Sequence, residues 1–336
     1  MRLTKFIARR LLLAIPQILA ITVVTFVILR ILPGNPAYEL VGPFATPDTL
    51  NAMEHHLGTD RPLPVQYGTY ISDLLHGNWG DSWFSTRPVT DELKDRLPAT
   101  LELITLSSLI IMLGGLLAGL LVALTRARFL DRGIAFYGLL SGSFPDFWLA
   151  LALSYIFFFK LGWLPSPTGR LDIEVNPPQH VTGFYTVDSL LTQNWTAFRS
   201  AFSHLILPVL TLSIVYTAGI VKMTRSTVDE MLRSNMCTYA RACGLPDRVV
   251  LRYALRNGLP PILTLMGLTY GYLLGGDVLV EKVFSWNGLG SYVVDSVVRA
   301  DYSPVQAFVL LAAMANFLIY LVVDLTHLIV DPRLEY

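Results

Sequence analysis

Residues 239–261 read YARACGLPDRVVLRYALRNGLPP, a stretch with four arginines, two glycines and three prolines set between long apolar segments. Upstream, residues 223–242 (MTRSTVDEMLRSNMCTYARA) contain few helix breakers. Asp229 and Glu230 precede Arg233, an order that favours a helix. Gly244 and Pro246 stop that helix. Asp247 stands as a cap for a second short helix, with Val249, Val250, Tyr253 and Ala254 on its apolar side. Asn257-Gly258 closes it, and Pro260 and Pro261 suit the first turn of a further helix, where a missing N–H costs little. The reading predicts a helix, a tight turn at Gly244 in positive φ, and a helix. Two uses fit such a basic elbow. It can seat in a cleft of another protein and pass displacement into the adjoining helices, or it can rest on anionic lipid headgroups.

The rest of the chain is membrane-like. Of 336 residues, 53% are hydrophobic and 15% charged, against about 25% charged in an average soluble domain. The formal net charge is zero, so nothing points to nucleic acid. A helix of about 20 apolar residues crosses a ~30 Å bilayer core. Six segments qualify: 9–31, 98–124, 133–161, 201–222, 259–283 and 304–330. The third is long and contains Pro145, which predicts a kink or tilt. The fourth is the weakest by hydropathy. The first follows MRLTKFIARR, but its apolar run is longer than that of a signal peptide, so it reads as an uncleaved anchor. With the amino terminus inside, inward segments hold 15 of the 25 Lys and Arg in 59 positions, and outward segments hold 10 in 131. The positive-inside rule therefore places both termini and the elbow in the cytoplasm.

The expected organisation is one membrane-embedded unit, 1–336, with an external insert at 32–97, an external loop at 162–200 and an inner loop at 223–258. In the insert, TPDTLNAMEHHLG reads as a helix starting at Thr46 or Asp48 and stopping at Gly58, and VQYGTYISDLLHG as a second. Cys237 and Cys243 lie about 240° apart around a helix and read as unpaired thiols. No phosphate loop, dinucleotide fingerprint, zinc-protease motif or nucleophile elbow occurs. Glu54, His55 and His56 lack a spaced third ligand and read as a solvated helix face.

The inner loop resembles the membrane-domain signature of bacterial ABC importers, E-A-A, three residues, then Gly. Thr238, Tyr239, Ala240 and Gly244 occupy those positions, and only the last two match. The likeness is closer to the first permease subunit of the dipeptide, oligopeptide and nickel importers. Ala240-Arg241-Ala242-Cys243-Gly244-Leu245 matches its A-R-A-x-G-L, and Leu255-Arg256-Asn257 its later L-R-N. RRLLLAIPQ, LPGNPA, DRPLPVQYGTY, GNWGDS, LPATLEL, SFPDFW, LGWLP, HLILPVLTL, FSWNGLG, DYSPVQ and DPR resemble the same family along the whole length. Asn287 departs from the family's usual Pro, and Asn35 from its common Asp. The resemblance implies an all-α, six-helix, type I ABC importer permease fold in the bacterial inner membrane. It implies half of a heterodimeric pore, working with a second permease subunit, two ATPase subunits and an external solute-binding protein. ATP and Mg would sit on the ATPases, with no cofactor on this chain. The elbow would be the coupling helix, carried by Thr238, Tyr239, Ala240, Arg241, Ala242, Gly244, Leu245, Arg256 and Asn257. Arg241 and Arg256 would meet either acidic groups of the ATPase or lipid headgroups.

Asp146 lies some 13 residues into the third segment, about 20 Å deep at 1.5 Å per residue. A carboxylate there costs on the order of 3 kcal/mol. It reads either as a pathway group, with Phe147 and Trp148, that meets a substrate's ammonium or hydroxyls, or as a packing group beside a wet kink. Asp324 and Asn316 read as packing contacts, Asp277, Glu281 and Lys282 as an interfacial ion-pair group, and Trp163, Trp195 and Trp286 as an interfacial belt. Gly275 and Gly276 would allow close helix approach. A self-contained secondary transporter or channel is the alternative function. It would need ion-coupling groups in repeated halves, and no repeat is visible. A membrane hydrolase would need a partnered nucleophile, which His204 and His327 do not reveal.

Overall fold

The computed structural model describes residues 2–31, 34–125 and 127–330. Leu32-Pro33 of LPGNPA, Arg126 of the short basic loop and the closing DPR lie outside the described residues. Among the described residues the chain is helical, without a β-strand. In order, the helices are α1 (Arg2–Ile31), α2 (Pro36–Val41), α3 (Pro47–Leu57), α4 (Leu63–Leu75), α5 (Val89–Thr125), α6 (Arg128–Ser143) and α7 (Asp146–Leu153). α7 continues as a π-helical stretch (Ser154–Lys160). There follow α8 (Tyr185–Leu191), α9 (Trp195–Arg233), α10 (Asn235–Ala242), α11 (Asp247–Gly276), α12 (Val278–Val283), α13 (Leu289–Val298) and α14 (Tyr302–Val330).

Four of these, α1, α5, α9 and α14, are long and apolar enough to cross a membrane. The third predicted segment passes only as the pair α6 and α7, bent by 100° at its break. The fourth segment, expected to be weakest, passes as α9. The fifth lies in α11, which has the length, but its prolines, glycines and tyrosines dilute it below the apolar content of the other four. The described helices thus supply four spans, or five with the bent pair, where six segments qualify in the sequence.

The chain divides into two compact units, residues 1–100 with 287–317, and residues 101–286 with 318–336. In the first, the two short helices expected within 32–97 form as α3 and α4. Thr46 caps α3 by accepting from Thr49 N, and Gly58 closes it at φ +67. Asn35 caps α2 by accepting from Ala37 N at 3.0 Å and donates its amide to Glu54 Oε1 at 2.6 Å. An aspartate here would have no proton to donate. His55 pairs with Asp60 at 2.8 Å, so Glu54 and His55 are engaged within the insert. α4 is fastened to α1 by Tyr67 to Thr22 (3.0 Å) and by Arg30 Nε donating to Gln66 (2.9 Å). Tyr292 is hydrogen-bonded to Glu92, and Ser82 donates to Asp301 at 2.6 Å.

The second unit is built on α9, whose apolar window is 61% buried against 17% for α1 and 11% for α14. At Gly115 a Cβ would lie 2.6 Å from the Ile220 side chain, and at Gly119 it would lie 2.7 Å from Val221 O. These glycines let α5 and α9 touch through their backbones. Gly275, expected to serve that purpose, faces open space. The 162–184 loop is held down by charge. Arg170 pairs with Glu102 at 2.5 Å and stacks over Tyr185, while Glu102 accepts from Thr186 N and Oγ1. Trp286 is 1% exposed near Arg170 and is a core residue, unlike the exposed Trp163 and Trp195, so the expected belt loses one member. Ser285 and Asn287 turn the chain with φ of +48° and +53°, a conformation closed to proline. His204 bonds Ser200 O, and His327 bonds Pro260 O and Thr264; in the first unit Asn316 donates to Ala312 O.

Candidate functional site

Two places in the second unit concentrate the predicted site residues: the Gly244 elbow and the break in the third segment.

The elbow forms, with three differences from the sequence reading. First, the helix expected over 223–242 is broken at Ser234, which takes an extended ψ of 154° and caps α10 by accepting from Cys237 N. A serine hydroxyl competes with the helical backbone and favours a cap. Second, the helix after the turn does not stop at Asn257-Gly258 but runs through Pro260 and Pro261 to Gly276. Gly258 serves packing instead, since a Cβ there would meet Thr227 Cγ2 at 3.1 Å. Third, Pro246 takes the cap position and Asp247 is the first helical residue, making no cap hydrogen bond of its own.

The turn closes as predicted. Gly244 has φ +75° with open space at its Cβ position. Gly244 N donates to Arg241 O and Leu245 N to Ala240 O, the paired bonds of a glycine-terminated helix. Behind it, Cys237 and Ala240 pack with Val228, Leu232, Val250, Ala254 and Ala123 in one buried cluster. That cluster locks α10 to α9 and α11. Residues 241–248 form a continuous exposed run, with Tyr239 73% exposed beside it.

The predicted coupling residues therefore separate. Tyr239, Ala242, Gly244 and Leu245 point outward, and Ala240 is core. Thr238 is exposed and donates to Ser234 O. Arg241 is exposed yet donates to Leu232 O at 3.0 Å, satisfying a carbonyl at the end of α9. Asn257 donates to Tyr253 O and lies 3.7 Å from Met236 Sδ, bracing α11 against α10. Arg256 is exposed on α11.

At the break, Phe144 is extended (φ −113°, ψ 134°) and Pro145 follows at φ −60°, ψ 144°. Proline disfavours the helical conformation in the residue before it. The expected kink is thus a 100° corner, and Asp146 begins a new helix instead of sitting inside a rod. Its Oδ1 accepts from Phe147 N at 2.7 Å, and its Oδ2 accepts from Tyr216 OH at 3.3 Å. Phe147 and Trp148 are exposed, with Trp148 stacked on Phe144 at 4.5 Å. Asp277, expected in an interfacial ion pair, is instead 5% exposed and close to Asp146 and Tyr216. No spacing in the sequence announces this meeting of α7, α9 and the α11–α12 link.

Two family models match the chain. Residues 3–104 match the N-terminal part of the binding-protein-dependent transport system membrane component, and residues 115–336 match the binding-protein-dependent transport system inner membrane component. The chain is 42% identical over 315 residues to a probable D,D-dipeptide transport system permease protein of Escherichia coli K12, covering 94% of this chain and 92% of that protein. It is 41% identical to a di/tripeptide transport system permease protein of Pseudomonas aeruginosa, covering 98% of each. It is 36% identical to a glutathione transport system permease protein of Salmonella typhimurium, covering 98% and 99%.

Proposed function

Since the chain belongs to the family of binding-protein-dependent transport system inner membrane components, we propose that it forms half of the translocation pathway of an ATP-driven importer of short peptides. The membrane subunit is not itself an enzyme. In this reading hydrolysis, with ATP and Mg, belongs to two separate ATPase subunits. A second permease completes the pore, and an external binding protein delivers the solute. The chain lies in the bacterial inner membrane, with α11 as the fifth of six spans, the 32–97 insert outside and both termini in the cytoplasm.

One observation carries this reading: an exposed elbow, turned at Gly244, sits on a buried cluster that binds α10 to both α9 and α11. In this reading a force on Tyr239 or Leu245 acts through that packed cluster. It passes into α9, about 58 Å long at 1.5 Å per residue, and into α11. Asp146, Phe147 and Trp148 are then pathway residues at the corner of the third span, which moves with α9 through the Tyr216 hydroxyl. The test is disulfide or bifunctional crosslinking from Tyr239→Cys and Leu245→Cys in native membranes. With the exposed Cys243 of the elbow replaced by Ser in every variant, both should reach a nucleotide-binding subunit, and a Phe44→Cys control in the insert should not. An elbow that crosslinks to no nucleotide-binding protein, or that is labelled only from outside the cell, overturns the assignment.

A further inference from the structure

Side chains from three helices and a link meet beside the corner at Pro145. They are Asp146 on α7, Tyr216 on α9, Tyr272 on α11 and Asp277 between α11 and α12. Tyr216 OH donates to Asp146 Oδ2, and the Tyr216 and Tyr272 rings lie 5.5 Å apart. Asp277 is 5% exposed, and neither of its carboxylate oxygens makes a hydrogen bond of ordinary length and angle; its polar neighbours are the Asp146 carboxyl and the Tyr216 hydroxyl. Asp146 and Tyr216 are near enough to act on it, and buried Glu281 adds negative field. Neither Asp146 nor Asp277 joins an ion pair among the described residues.

A buried carboxylate without a partner is strongly unfavourable, and two neighbouring carboxylates resist ionising together. A cation between them removes both penalties. The tyrosine ring faces add attraction for an ammonium group. Asp146 is partly exposed at the corner, so the pair opens where the helix leaves its course.

We infer that Asp146 and Asp277 together bind the amino-terminal ammonium of a peptide in transit, with Tyr216 and Tyr272 forming the aromatic side of the site. The inference rests on the importer reading above. It adds Asp277, Tyr216 and Tyr272 to a pathway for which the sequence offered Asp146, Phe147 and Trp148.

The test uses the whole complex, purified through this chain and reconstituted with its binding protein saturated by dialanine, so that the binding protein's own selectivity does not enter the rate. Asp146→Asn and Asp277→Asn preserve shape and remove charge. Both complexes should assemble and keep ATPase stimulation by the loaded binding protein, while dialanine uptake falls at least tenfold. Asp146→Glu should restore part of it. Uptake within twofold of the unaltered complex in both Asn variants overturns the inference. So does an uptake loss that merely follows loss of assembly or of ATPase stimulation, the outcome for an acid pair that only holds helices. If the unaltered chain isolates without ATPases, the importer reading fails and takes this one with it.

Discussion

Glu102 and Arg170, 68 residues apart, form an ion pair of 2.5 Å in which the carboxylate side chain is 1% exposed and the guanidinium 11%. The pair connects α5 to the loop before α8, and Thr186 fills the other carboxylate oxygen. Removing one partner leaves an uncompensated buried charge. Glu102→Gln or Arg170→Met should therefore cost about 3–5 kcal/mol. Thermal unfolding of the purified protein in detergent should show the loss, and the double variant should be less damaged than the sum of the two.

Gly119 tests the α5–α9 contact. A Cβ there lies 2.7 Å from a backbone oxygen, which cannot rotate away as a side chain can. Gly119→Ala should cost about 1–3 kcal/mol, as overpacking does. Gly114→Ala meets nothing within 4 Å and should be neutral, or stabilising by up to ~1 kcal/mol through helix propensity. Tm should fall for Gly119→Ala and hold or rise for Gly114→Ala.

Gly244→Ala tests the elbow. An L-residue at φ +75° is strained by roughly 1–2 kcal/mol. With open space at the Cβ the variant should still insert and fold. The expected loss is in ATPase stimulation by loaded binding protein and in recovery of ATPase subunits on purification.

Asp188 lies in the 162–200 segment and accepts from Val181 N, Thr182 N, Gly183 N and Thr182 Oγ1. Burial by itself would raise its pKa. The hydrogen bonds, led by the Thr182 hydroxyl, together outweigh burial and hold the carboxyl below its ordinary value of 3.8. The unfolded chain then binds the proton more readily. The contribution is present above about pH 4 and is lost as pH falls through the folded value. Asp301 has the opposite sign. Burial, with repulsion from Glu92, raises its pKa despite the bonds from Ser82 and Trp83, so its cost appears as pH rises from about 4. Unfolding scans from about pH 3 to pH 7 should show a shallower acid slope for Asp188→Asn and a smaller loss toward neutral pH for Asp301→Asn.

Asn35→Asp should loosen the insert. The amide donates to Glu54 at 2.6 Å, and a carboxylate there would face a carboxylate. The expected cost is about 1–3 kcal/mol, read as faster hydrogen exchange and proteolysis within α2 and α3 while the spans stay protected.

Local chemistry carried the sequence reading a long way. Thr46 and Gly58 bound α3, and Gly244 ends α10, because caps and positive-φ turns are decided by a few consecutive residues. Apolar run length found α1, α5, α9 and α14 for the same reason. The misreadings came where one local signal had two physical meanings. Gly258 looked like a stop and is a contact point against Thr227. Pro145 looked like a kink and is a corner. Trp286 looked interfacial and is core.

The sequence by itself determined a helical membrane protein with a basic, glycine-turned elbow, since burial in lipid and backbone geometry leave their marks residue by residue. Only the tertiary structure decided that Asp146, Tyr216 and Asp277 share one place. They come from α7, α9 and the end of α11, and no periodicity along one helix encodes a meeting of three. Tertiary packing also set Arg241 on the Leu232 carbonyl and Asn257 against the Met236 thioether, groups that the fold brings near.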